Sequence, residues 1–223
     1  MFIDLLFEES TRFYYFSVVI TVIISIVLHE LAHGWAAIHE GDDTPIRLGH
    51  MTGDPRVHMG GLSLALVCVM GLGWGAMPVN RRNFRRKYSD ALVSFAGPAM
   101  NLLLSFLALT TFALLMKYST GIAERALIDP GHASVRFVEF LYTFGQFNIA
   151  LFFLNMVPVP PLDGASILSD FHAGYRRWLS DRVHMHGTFF MMFFVLISMT
   201  SGTEYGLFRI AGRWAGWYLR LFY

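Results

Sequence analysis

Residues 13–37 form an apolar run longer than the roughly 20 residues that cross the hydrocarbon of a bilayer, yet they carry two histidines and a glutamate in His29-Glu30-Leu31-Ala32-His33. A single segment in lipid satisfies its own backbone polar groups only as a helix, so this run has to be helical. Residues four apart on a helix stand about 40° from each other around its axis, and both imidazoles can therefore reach one ion. Glu30, next to the first imidazole, is placed where a carboxylate can take a proton from a water that the ion polarises. Ionisable groups inside such a segment are expensive and seldom lack a partner or a task. His29 and His33 are accordingly candidate ligands of a hydrolytic zinc site.

Composition agrees with a membrane protein. Of 223 residues, 55% are hydrophobic and 15% charged, which excludes an ordinary soluble fold. The net charge of +1 removes any whole-chain case for nucleic acid. Cys68 is the single cysteine, so neither an internal disulfide nor a CxxC metal site is available, and it reads as a small packing residue. Residues 1–12 carry Asp4, Glu8 and Glu9, the wrong sign for the leading region of a signal peptide, and are expected to be retained.

The apolar runs and their breaks set the order of the chain. Tyr14, Tyr15 and Trp35 suit interfacial or packing positions in the first span. Residues 40–59 are polar and punctuated by glycine and proline, predicting turns and short strands. Residues 60–78 are apolar again but hold Gly71, Gly73 and Gly75 and run into Pro78, so they form a short span or a re-entrant hairpin. The basic octamer 80–87 (NRRNFRRK), wedged between apolar segments, reads as a cytoplasmic loop rather than a nucleic-acid patch. Residues 91–116 are the cleanest span, 117–136 a mixed connector, and 137–157 a further span that prolines stop. Arg176, Arg177 and Arg182 mark a second basic connector, 186–201 a span that is short unless tilted. Residues 205–223 place Arg209, Arg213, Gly216 and Arg220 on one helical face, which suits a helix in the membrane interface, with a tilted further span as the alternative.

A catalytic zinc usually has three protein ligands, so another must come from elsewhere in the chain. Asp163 is the best candidate, since it follows a membrane helix directly and sits with Gly164 in a proline-set turn; the competing role is an ordinary turn aspartate. Topology tests this pairing. If 60–78 crossed the membrane, the end of the first span and the end of 137–157 would lie on opposite faces. A re-entrant 60–78 puts them on one face, together with both basic connectors, and the positive-inside rule makes that face cytoplasmic.

Three ordered motifs resemble the site-2 protease family of intramembrane zinc metalloproteases. They are His29-Glu30-Leu31-Ala32-His33 in a membrane helix, Ala96-Gly97-Pro98 with Asn101, and residues 155–164 as N-x-x-P-x-P-P-L-D-G. The Gly41-Asp42-Asp43-Thr44-Pro45 turn with Gly49, Thr52 and Pro55 resembles that family's loop after the motif. The resemblance covers roughly residues 13–170. It implies that His29, His33 and Asp163 hold one zinc, that Glu30 activates the water, and that Asn155 acts at the substrate or oxyanion. Asn101 is expected to be structural, helping core helices pack. No stretch is long enough for the PDZ insert or nucleotide-sensing domain of some relatives.

The expected fold is thus an all-α polytopic membrane protein of about 4–6 membrane segments with a re-entrant or β-turn segment after the first helix. Residues 1–12 are expected to be non-cytoplasmic, 13–170 to form the catalytic core and 171–223 to hold C-terminal membrane and interfacial segments. The implied activity is hydrolysis of a peptide bond in or near a transmembrane segment of a protein substrate, at the cell (inner) membrane, in regulated intramembrane proteolysis. The sequence leaves the oligomeric state open. Two alternatives stay open: a proteolytically inactive metal-binding membrane scaffold, which has no need of Glu30, and a small metal transporter, which would want more ionisable groups in its spans. His50 and His58 flank the loop after the motif and are candidates to line the cavity; His184 and His186 are expected in a solvated connector.

Overall fold

The computed structural model describes residues 1–119, 121–180 and 206–222. In chain order it contains α1 (Glu9–His39), α2 (Thr44–Arg47), α3 (Pro55–Met70), α4 (Ser89–Tyr118), α5 (Ile122–Ile128), α6 (Ala133–Asn155), α7 (Asp163–Phe171), α8 (Ala173–Ser180) and α9 (Leu207–Leu219). No strand occurs among the described residues. α1, α4 and α6 are long and apolar enough to cross a membrane, and α3 is a shorter apolar helix. The expected span at 186–201, which His186 opens, lies outside the described residues, as do His184 and Arg182 before it.

α1 is the central helix. Its most apolar window is 67% buried, against 28% for α4 and 39% for α6, because α3, α4 and α6 all pack on it. Val18, Val22 and Ile26 on α1 meet Met59 and Val67 on α3 and Phe147 on α6. Tyr15 belongs to this packing too and donates its hydroxyl to the carbonyl of Cys68, at 2.9 Å. Trp35 stays exposed.

The segment between α1 and α4 enters and leaves by one face. α3 has 16 residues and rises about 24 Å, short of the roughly 30 Å of hydrocarbon, and it kinks at Gly60. After Gly71 the chain returns in extended form alongside it. Ser63 Oγ accepts from the Trp74 amide at 2.9 Å and donates to the Trp74 carbonyl at 2.7 Å, and the Ala76 amide donates to the His58 carbonyl at 3.0 Å. Residues 60–78 are therefore a re-entrant hairpin of one helical and one extended leg. Where turns and short strands were expected in 40–59, the chain forms α2 and begins α3 at Pro55. Asp54 accepts from the Arg56 amide at 2.9 Å and Pro55 opens the first turn, a helix start with side-chain cap and preset φ.

The basic loop 80–87 is tied to the end of α1. Glu40, buried, takes both the Arg86 guanidinium and the Ser89 hydroxyl on its carboxylate, while its carbonyl accepts from the Arg85 amide at 3.0 Å. Asp42, also buried, accepts from the Asn80 amide at 2.6 Å, Asn83 Nδ2 at 2.8 Å and the Thr44 amide at 3.1 Å. These bonds hold the start of α4 beside the end of α1 and so make the two helices antiparallel.

α9 packs against α6 and α4. Leu207, Ala211 and Ala215 pack on Leu109, Ile149 and Ala150, and Tyr218 shares a 2.7 Å hydrogen bond with Thr110. Its arginine face, including Arg213 and Arg220, lines an open groove with Gln146 of α6.

The two buried carboxylates make stability depend on acid. The Arg86 and Ser89 hydrogen bonds hold Glu40 below its ordinary 4.5. Burial raises Asp42, but its bonds from Thr44, Asn80 and Asn83 outweigh that and hold it below 3.8. A carboxyl depressed in the fold stabilises fully above its unfolded value and loses that contribution as pH falls through the folded one. Thermal unfolding in detergent is expected to show a fall in melting temperature below pH about 4.5, and Glu40→Gln combined with Asp42→Asn should flatten that fall while lowering the melting temperature at pH 7. Equal acid slopes in native and variant would refute the clamp.

Candidate metal centre

His29 and His33 lie on the buried face of α1, and the helix spacing brings their Nε2 atoms to 3.0 Å. Asp163 is the first residue of α7 and reaches them from the far side of the fold. α6 ends at Asn155, the prolines of residues 156–162 prevent its continuation, and extended Leu162 turns the chain into α7. α7 is anchored on α4, where the Ala91 amide donates to Asp170 Oδ2 at 3.0 Å, and Arg81 donates to Ser166 Oγ at 2.9 Å. Held this way, Asp163 Oδ2 stands 3.1 Å from His29 Nε2 and 3.4 Å from His33 Nε2.

The outer nitrogens of the two rings are already committed. His29 Nδ1 lies 2.6 Å from Asn101 Oδ1 and His33 Nδ1 lies 2.7 Å from the carbonyl of Val93, both on α4. Both partners are acceptors, so each Nδ1 carries the proton and each neutral ring turns an Nε2 lone pair inward. Asp163 supplies the third group, a carboxylate whose Oδ2 faces both rings. Asp163 Oδ2 is buried without a hydrogen-bond partner. Three electron-rich atoms thus converge on one point, an arrangement that a cation resolves.

Zinc fits this donor set. Ligands about 2.0–2.1 Å from a tetrahedral ion stand roughly 3.3 Å apart, close to the three separations found. Space for an ion is preserved by Gly97 of α4: a Cβ there would lie 2.4 Å from His33 Nε2 and 2.5 Å from His29 Nε2. His29, His33 and Asp163 are the metal-capable cluster found among the described residues.

Glu30 follows His29 on α1 and is 7% exposed. The extended leg of the hairpin runs against it so closely that a Cβ on Gly75 would meet its Cγ at 2.7 Å and Oε1 at 2.8 Å. Asn155 closes α6, half-buried, and no hydrogen bond joins it to His29, His33 or Asp163. Asn101, expected to serve packing, is in direct contact with His29. Behind it sits Asn148 on α6, which sequence reasoning passed over; a lone asparagine amid the apolar residues of a span was its only signal. His58 is buried and donates Nε2–H to the Thr52 carbonyl at 2.7 Å, with the His50 ring 6.3 Å away, and neither belongs to the cluster.

Comparison with known proteins places these residues in a family context. The model of Peptidase family M50 matches residues 16–198. The chain is 35% identical over 187 residues to YwhC of Bacillus subtilis (strain 168), named as a zinc metalloprotease, covering 83% of this chain and 81% of that protein. It is 29% identical over 204 residues to Rip2 of Mycobacterium tuberculosis (strain H37Rv), named likewise, covering 85% of this chain and 72% of the relative. No solved structure matches the chain significantly.

Gly97→Ala is expected to weaken zinc binding by more than about 100-fold, as read by chelator competition, while the helical circular dichroism of the purified protein stays native. Undiminished affinity would show that Gly97 does not border the ion.

Proposed function

The chain belongs to peptidase family M50, the site-2 protease family, and is a zinc metalloprotease and integral membrane protein; from that premise we propose that it hydrolyses a peptide bond in or next to a transmembrane segment of a membrane-protein substrate. The observation that carries the reading is the position of the cluster. His29 and His33 belong to a helix long and apolar enough to span a bilayer, and Asp163 meets them inside the bundle.

In this reading His29, His33 and Asp163 hold the ion. Zinc, when bound, supplies a Lewis acid that makes a water nucleophilic near neutral pH and polarises the scissile carbonyl. Glu30 accepts the proton of the attacking water and passes it to the leaving amine. Asn155 donates its amide hydrogen to the carbonyl oxygen as charge develops there. A helical substrate has to unwind at the cut, because its peptide carbonyls are otherwise engaged in the helix. Residues that loosen a helix near the scissile bond therefore favour cleavage.

The basic loop supports a site open to the cytoplasm. Arg86 binds Glu40 at the end of α1, and Arg81 pairs with Asp90 at 3.0 Å at the start of α4, so the positive charge gathers at the end of the bundle from which α7 delivers Asp163. By the positive-inside rule this end is cytoplasmic, and residues 1–12, at the other end of α1, are non-cytoplasmic. In this reading the chain sits in the cell membrane, with residues 13–170 as the catalytic core.

The test is cleavage of a panel of single-span membrane proteins in liposomes by the zinc-loaded chain, with cut positions read by mass spectrometry. Cuts in or beside the spans are expected. Glu30→Gln should keep zinc yet cleave at least about 100-fold more slowly, and Asp163→Ala should lose zinc affinity. Cleavage of soluble peptides alone would overturn the membrane substrate, and native zinc affinity without Asp163 would overturn the ligand set.

A further inference from the structure

Asn101 does not stand alone behind His29. Its Nδ2 donates to Asn148 Oδ1 at 3.0 Å, and Asn148 Nδ2 donates in turn to Ser25 Oγ at 2.8 Å and to the Phe144 carbonyl at 2.9 Å. Ser25 precedes His29 by one turn of α1, so the path leaves α1, crosses α4 and α6, and returns to α1. Asn148 and Ser25 are 0% exposed and Asn101 is 1% exposed, so no bulk water reaches them to exchange partners.

One atom in this path fixes the direction of all the others. The Phe144 carbonyl can only accept, so the Asn148 amide has to present its nitrogen there and its oxygen to Asn101. With that oxygen in front of it, Asn101 has to present its nitrogen to α6 and its own oxygen to His29. An oxygen facing His29 Nδ1 places the ring proton on that nitrogen and leaves Nε2 bare toward the metal position. With the two ends of the Asn101 amide free to exchange, Nδ2–H would face His29 and favour the other tautomer, in which Nε2 carries a hydrogen and cannot bind an ion.

We propose that Asn148 is a positioning residue of the zinc centre: through Asn101 it holds His29 in the tautomer that presents Nε2 to the metal. The assignment rests on His29 being a zinc ligand. It gives the buried amide of α6 a task distinct from packing, since the packing role needs only its volume whereas the positioning role needs its oxygen on the α4 side.

The experiment is zinc affinity by chelator competition, with the d–d spectrum of the cobalt-loaded protein, on the full chain in detergent. Asn148→Leu should weaken zinc by about 10–100-fold and broaden the cobalt spectrum, since the second partner of a ligand is typically worth that much. In the Asn101→Asp background the outcome should differ. A carboxylate has no donor end to turn toward His29, and it also faces the Asn148 oxygen unfavourably. There, Asn148→Leu should leave zinc affinity within about twofold of the Asn101→Asp parent, or raise it. Asn148→Asp, neutral in this fully buried place, can offer its O–H to the Phe144 carbonyl and its other oxygen to Asn101, so it should retain zinc binding and reports on the same point if the leucine variant does not fold. Equal losses from Asn148→Leu in both backgrounds, or native affinity in the single variant, would overturn the proposal. A loss in Asn148→Asp as large as in Asn148→Leu would do so as well. His29→Ala separates the two levels: unchanged zinc affinity there would remove His29 from the ligand set, whereas a large loss there with no background dependence at Asn148 would overturn the positioning role alone.

Discussion

Two imidazole nitrogens and a carboxylate oxygen converge within 3.4 Å inside an apolar bundle, with both ring protons committed on the other side of the rings. Such lone pairs repel one another and are poorly solvated there, so the arrangement has meaning only around a cation. Several groups buried around the cluster follow from it. Val93 and Asn101 orient the rings, Asn148 and Ser25 stand behind Asn101, and Gly97 leaves volume that an ion would need. Each of these is on a different helix from the ring it serves or acts through one that is, so the site exists only when α1, α4 and α6 are assembled.

Assembly is in turn enforced outside the apolar core. α1 ends in Glu40 and Asp42, which bind the loop that begins α4, and α7 is hydrogen-bonded to the start of α4 by Asp170. These polar contacts sit at the same end of the bundle as Asp163. They set helix order and direction, while contacts such as Val18, Ile26 and Phe147 supply the burial that makes the order stable. A re-entrant hairpin between α1 and α4 is what allows both the end of α1 and the end of α6 to face one side. It also brings an extended backbone against Glu30, placing the expected proton carrier next to a segment without bulky side chains at Gly75.

The meeting of the three side chains was legible in the sequence because ligand types and helix spacing leave few choices: His29 and His33 declare themselves by periodicity, and Asp163 by its turn and by the parity of the spans. Asn148 was not legible, since one asparagine in an apolar helix has no spacing to compare with and its partner is set only by how α6 packs on α4. The contact between Asn101 and His29 was hidden for the same reason. Fold was readable where apolar length dominates, at α1, α4 and α6. It was less so at 40–59, where glycine and proline suggested strands, although Asp54 before Pro55 is a helix start. The packing of α9 on α6 was not read from the sequence, although the small residues Ala211 and Ala215 opposite its arginines record it.

X-ray absorption at the zinc edge of the purified full chain tests the central claim most directly, because it reads the ion's own surroundings without a substrate. The account predicts stoichiometric zinc with two imidazole nitrogens and oxygen ligands at about 2.0–2.2 Å, and no sulfur. A shell with fewer than two imidazoles, or zinc bound only in loose, variable amounts, would contradict the assignment of His29, His33 and Asp163 as the ligands.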